Sequence, residues 1–247
     1  MPLTLMMNLT GRERTRRSNR QLGGMLAFVA GAINAGGFLA VQRYTSHMTG
    51  VVSAIADDLI IGRIGLVLAG AALLVAFIAG AATTAVLINW ARGRGMHGEF
   101  ALPVIVEAVL LLVFGILGAN LDALVELFVP ATVLLLCYVM GLQNAIVTKI
   151  SRAEIRTTHM TGVITDLGIE LGRMAYWNRG QRAGGPVRAD RDRLIVLSII
   201  LALFLAGGIA GAAGFKAIGF GAVLPIVALL FAISALPLIE DLKDFLR

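Results

Sequence analysis

The chain alternates long apolar stretches with short polar ones that carry its charge. A bilayer helix needs roughly 17–25 predominantly apolar residues. Runs of that kind predict spanning helices over 22–41, 66–87, 101–119, 127–147, 194–214 and 218–239. Two further apolar runs, 49–61 and 161–171, are too short to cross alone. Each of these follows the same polar phrase, His47-Met48-Thr49-Gly50-Val51 in one place and His159-Met160-Thr161-Gly162-Val163 in the other.

The phrase belongs to a longer repeat. Gly31, Asn34 and Ala35 stand in the order Gly-x-x-Asn-Ala, and so do Gly141, Asn144 and Ala145. Gly62-Arg63 closes the first short run as Gly172-Arg173 closes the second. Farther on, Ala76-Phe77-Ile78-Ala79-Gly80 answers Leu203-Phe204-Leu205-Ala206-Gly207, and Leu102-Pro103 answers Leu224-Pro225. The predicted organisation is a basic arm over 1–21 and one membrane domain over 22–247, with repeat one at 22–119 and repeat two at 127–239. Three spans per repeat is an odd number, so the second copy enters the membrane upside down relative to the first. The expected fold is therefore an all-α integral membrane protein of six transmembrane helices in two inverted three-helix repeats.

Composition narrows the class. Residues of the apolar set make up 58% of the chain and charged residues only 15%, too few to coat a soluble surface. Net charge is +6, and its placement sets an orientation by the bias of cations toward the cytoplasm. Arg12, Arg14, Arg16, Arg17 and Arg20 crowd the start, Arg92 and Arg94 sit in the loop after the second span, and 149–193 is dense in arginine. The intervening loop 120–126 carries Asp122 and Glu126 without a cation. Both termini are expected in the cytoplasm and the chain in a bacterial plasma membrane. The stretch 22–41 is long for a signal peptide core and is repeated internally, so it is read as the first span. The single Cys137 lies in an apolar run, which leaves no disulfide framework. No nucleic-acid-binding segment, cofactor motif or cysteine metal cluster is present in the pattern.

The short runs are read as re-entrant or interfacial half-helices. Five extended residues at about 3.3 Å each descend roughly 16 Å, half of a ~30 Å hydrocarbon core. Thr49 and Thr161 are candidate helix caps, and Gly50 and Gly162 would allow close backbone approach. Two half-helix starts meeting near the midplane would present partial positive charge to a polar or anionic solute.

The candidate solute-binding residues are Asn34, Ser46, His47, Thr49 and Gly50 in the first copy. Asn144, Thr158, His159, Thr161 and Gly162 are their counterparts in the second. A lone membrane histidine is often only a helix contact, whereas two at matched positions beside hydroxyls raise the functional reading. The asparagines serve equally as interhelical glue or as pathway lining. Glu107 lies well inside a span where the second copy has Leu229, and Asp166 stands where the first has Ala54. These two carboxylates are the asymmetric candidates for ion or proton coupling. Gly80-x-x-x-Thr84 and Gly207-x-x-x-Gly211 permit tight helix approach, explained by internal packing or by a homodimer.

With its Gly-x-x-Asn-Ala and Met-Thr-Gly elements, the chain resembles the YoaK-like family of bacterial multi-spanning membrane proteins, a domain of unknown function. The resemblance runs from Gly23 to about Ile239. In that family the glycine is often followed by Asn, where Val51 and Val163 stand here. It implies plasma-membrane residence and supplies no substrate. The reading is a transporter or channel for a small solute, with the lipid bilayer as surroundings, no cofactor and no catalytic residue. Its rivals are an intramembrane enzyme using His47, His159, Asp166 or Glu107 as acid or base, and a non-catalytic scaffold.

Overall fold

The structure is a computed structural model and describes residues 10, 15–41, 44–119, 125–150, 158–176 and 186–245. Its regular elements are all helices among these residues, joined by short turns and loops. The elements in chain order are α1 (Arg16–Val41), α2 (Met48–Ile61), α3 (Ile64–Gly93), α4 (Ala101–Ala119), α5 (Val125–Ile150), α6 (Met160–Ala175), α7 (Arg191–Ile218), a 3-10 turn (Gly219–Ala222) and α8 (Val223–Phe245). Five stretches are long and apolar enough to cross a membrane: Arg17–Phe38, Ile64–Gly93, Ala101–Ala119, Val129–Ile150 and Arg191–Asp241. The last holds 51 residues, which as one straight helix would run about 76 Å, far beyond a ~30 Å core. It breaks at the 3-10 turn, where Gly219 takes a positive φ of 58° that favours glycine. The expected break at 214–218 therefore falls a turn later. The chain is an all-α membrane protein.

α2 and α3 form a tight hairpin. Gly62 has φ 81°, its amide donates to the Leu59 carbonyl at 3.2 Å and the Arg63 amide to the Asp58 carbonyl at 2.8 Å. That pair of bonds is the Schellman closure, which needs a left-handed residue after the helix. The second copy departs here, because α6 runs on through Gly172 to Ala175.

Helix pairing is reciprocal between the repeats. α1 packs along α7, and α3 packs along α5. Small residues make both crossings possible. A side chain on Gly31 would strike the Phe204 carbonyl, one on Gly207 the Phe28 carbonyl, and one on Gly211 the Ala32 carbonyl. In the other pair, Gly141 meets the Phe77 carbonyl and Gly80 the Tyr138 carbonyl. Where Gly211 stands against Ala32, Thr84 instead donates its hydroxyl to the Leu142 carbonyl at 2.9 Å. On α1 and α7 the contacts Gly24–Leu203, Phe28–Gly207, Ala32–Gly211 and Gly36–Phe215 advance together, so that pair is parallel, and Gly80–Tyr138 followed by Thr84–Leu142 gives α3 and α5 the same sense. The two small-xxx-small motifs thus serve internal packing.

The counterpart helices run the other way. Gln143 Nε2 of α5 donates to the Leu26 carbonyl of α1 at 3.2 Å, and Leu136 lies against Gly37. As the number rises on one helix it falls on the other, so α1 and α5 are antiparallel. α4 and α8 are antiparallel too: Gly118 faces Phe220, while Gly98 faces Pro237 and takes the Asp241 carboxylate on its amide at 2.8 Å. α1 and α5 form the centre, each with 67% of its spanning window buried, whereas α3 has 6% and lies at the periphery. The apolar core joins Leu26, Ile33, Leu111, Phe114, Met140 and Leu230.

Candidate functional site

The chain after α1 turns back along that helix. Tyr44 stacks on Phe38 with ring centroids 4.4 Å apart, and Ser46 Oγ donates to Asn34 Oδ1 at 2.8 Å. Residues 44 to 46 therefore travel against the direction of α1. Asn34 lies seven residues before the end of α1, which sets Ser46 about 10 Å back from that end. The second copy repeats the arrangement. Thr158 Oγ1 donates to Asn144 Oδ1, and Asn144 Nδ2 donates to the Met140 carbonyl at 2.9 Å, which orients the amide. Asn144 lies six residues before the end of α5, about 9 Å back. Each asparagine holds the hydroxyl of its own motif.

The helix starts that follow have nearly the same backbone. His47 precedes α2 with φ −91° and ψ 68°, and His159 precedes α6 with φ −81° and ψ 58°. The Val51 amide donates to the His47 carbonyl at 3.2 Å, and the Val163 amide to the His159 carbonyl at 3.0 Å. Neither histidine caps its helix with a side-chain bond among the described residues. Thr49 and Thr161, expected as caps, fall inside the first turn, because the helices begin one residue earlier at Met48 and Met160. Uncapped first-turn amides beside an imidazole form an anion-favouring end. Both histidine side chains are exposed on the chain. Met48 and Met160 pack against the core and fasten the two starts, a role the sequence reading missed. Their matched places in the repeat were the available signal.

The glycines of the motif do not approach an opposing backbone. A side chain on Gly50 would meet the imidazole of its own His47, with Nε2 at 2.8 Å, and nothing lies within 4 Å of the position at Gly162. The expectation of close approach is corrected on that geometry.

Asp166 is fixed by Arg193, whose Nη2 donates to Asp166 Oδ2 at 2.9 Å, half-exposed at the start of α7. One turn on, Glu170 is buried and accepts from Arg173 Nη1 at 2.9 Å and from the Asp190 amide at 2.9 Å. These carboxylates tie α6 to the start of α7. The first copy achieves the same joining with the Gly62 turn.

Glu107 is fully buried in α4, beside the equally buried Val104, Ala108 and Leu111 in sequence, and neither carboxylate oxygen has a hydrogen-bond partner among the described residues. The Gln143 side-chain oxygen is likewise buried without one. Glu107 lies six residues from the start of α4, about 9 Å, and Asn144 about 9 Å from the end of α5. Those two helix ends share one side of the molecule, because α3 runs parallel to α5 and leads into α4 through the loop 94–100. Glu107 thus stands at the level of the second asparagine.

A family model described as "Protein of unknown function (DUF1275)" matches residues 22–236. No curated protein matches the chain, and no solved structure does.

Proposed function

The chain belongs to the DUF1275 family of proteins of unknown function, and from that premise and the geometry above we propose that it carries a small solute across a membrane. The carrying observation is the pair of asparagine–hydroxyl bonds, Ser46 to Asn34 and Thr158 to Asn144, on two central helices that run antiparallel. Leu26 lies level with Gln143, and Gly37 with Leu136. On that register the two asparagines are separated by about 10 Å along the helix axis, one to each side of the middle. Two re-entrant motifs entering from opposite faces would bracket a solute between them.

The antiparallel pairing of α1 with α5 and of α4 with α8 supports three crossings per repeat. Were α2 and α6 to cross as well, each repeat would have four, and counterpart helices would run parallel. We therefore read six spans in two inverted repeats, with α2 and α6 as re-entrant half-helices. The uncapped amides of both half-helices favour an anion or a strongly polar neutral solute. Glu107 is the coupling group in this reading, since an unpartnered intramembrane carboxylate is costly to keep without a use. Asp166 is reassigned to fastening α6, because Arg193 already engages it. The cation distribution supports cytoplasmic termini in a bacterial plasma membrane. The hydroxyls beside the two histidines, Ser46 and Thr158, donate to Asn34 and Asn144 rather than to His47 or His159, so the chain is read as a carrier rather than an enzyme.

The test is flux into proteoliposomes across a panel of small anions and polar neutral solutes, with Asn34→Leu and Asn144→Leu beside the unaltered protein. Saturable flux of one class, lost in both variants while they stay folded, is expected. A folded protein that moves no member of the panel, or variants that move the solute normally, would overturn the reading.

A further inference from the structure

A groove of about 920 Å³ opens between α1, α7 and α8, away from the two His motifs. One end is polar and cationic, with Arg17, Arg20 and Gln21; the body is apolar, with Phe28, Ile199 and Leu203 among its walls. Neither arginine has a carboxylate partner among the described residues. The Gln21 side-chain oxygen is buried and has no hydrogen-bond partner among the described residues. The tight crossing of Gly207 on the Phe28 carbonyl closes the inner end. From Arg17 to Phe28 the groove follows eleven residues of α1, about 16 Å, which is close to one leaflet of a ~30 Å core.

From these features we propose that the groove is a site for an anionic phospholipid whose headgroup carries hydroxyls, such as phosphatidylglycerol. Two guanidinium groups suit a phosphodiester, and Arg is well matched to phosphate oxygens. A phosphodiester has no donor to offer Gln21, whereas a glycerol headgroup has hydroxyls that donate to its oxygen. The acyl chains occupy the apolar walls, which a free phosphate would leave unfilled. The repeat sharpens the point: the positions matching Arg17 and Arg20 in the second copy are Leu127 and Pro130. The two cations are therefore not repeated at the matched positions of the second copy. The proposal requires membrane residence and is independent of the transport reading.

The experiment titrates delipidated, detergent-held protein with phosphatidylglycerol or phosphatidylcholine and counts bound lipid by native mass spectrometry. Phosphatidylglycerol should bind at least tenfold more tightly. The double variant Arg17→Gln/Arg20→Gln should weaken it about fivefold per arginine, roughly thirtyfold together. Ile199→Trp, which fills the groove without touching the charges, should expel the lipid while leaving helix content unchanged, and it keeps the test open should the arginine variant misfold. Soluble glycerophosphoglycerol should fail to compete. Equal binding of the two lipids, indifference to both variants, or competition by the soluble headgroup at the lipid's own concentration would each overturn the proposal.

Discussion

Gly141 of α5 sits so close to the Phe77 carbonyl of α3 that no side chain fits between them, and Gly31 of α1 bears the same relation to the Phe204 carbonyl of α7. Helices from different repeats are thus locked backbone to backbone at matched places. Lipid tails are as apolar as leucine, so close packing rather than water exclusion holds such helices together.

Substitution at these crossings should therefore be costly. Gly31→Ala and Gly141→Ala are each expected to destabilise by about 1–3 kcal/mol, because backbone must move to admit the methyl group. Gly162→Ala, with open space around it, should be neutral or slightly stabilising, since alanine favours the helix. Thermal unfolding in detergent reads all three. Equal effects at Gly31 and Gly162 would remove the packing argument.

The asparagine–hydroxyl bonds should appear as pairwise couplings. A double-mutant cycle on Asn34→Ala and Ser46→Ala is expected to give about 0.5–1.5 kcal/mol, and the cycle on Asn144→Ala and Thr158→Ala a similar figure. The crossed pair Asn34 with Thr158 should couple by less than about 0.5 kcal/mol. A large crossed term would show that the motifs do not act on their own asparagines.

Glu107→Gln keeps the shape and removes the charge. Stability should be unchanged or raised, because a buried acid without partners is replaced by a neutral amide. Under the proposed role, solute exchange across the membrane should survive while uphill accumulation driven by a pH gradient is lost. Unchanged accumulation would release Glu107 from coupling.

The two carboxylates of α6 should differ in weight. Asp166→Asn removes a half-exposed ion pair with Arg193 and should cost under about 1 kcal/mol. Glu170→Ala strips a buried acceptor from Arg173 and from the Asp190 amide, and should cost about 3 kcal/mol. Chemical denaturation at low and high salt separates them, with only the Asp166 effect shrinking in salt.

Much of this was legible in the chain. Apolar length placed the helices, and repetition marked Asn34 and Asn144, Ser46 and Thr158, and His47 and His159 as counterparts in sequence. Gly80-x-x-x-Thr84 and Gly207-x-x-x-Gly211 announced tight packing but not against what, because small residues look alike whether the neighbour is another repeat or another molecule. The cap was misplaced because Thr49 has the side chain for it, while Met48, with its core contacts, starts the helix one residue sooner. Glu170 went unmarked as a fixed point because its importance comes from Asp190, twenty residues away. The corrections at Gly50 and Gly162 have the same origin: whether a glycine is crowded depends on which distant element stands opposite.

The central claim is that the two His motifs enter from opposite faces, and side-specific thiol labelling tests it most directly. In a Cys137→Ala background, His47→Cys and His159→Cys are treated singly in intact cells and in inverted vesicles with a membrane-impermeant maleimide. Position 47 is expected to react from the outside only and position 159 from the cytoplasmic side only. Reaction of both positions from the same face would contradict the inverted arrangement and the site built on it.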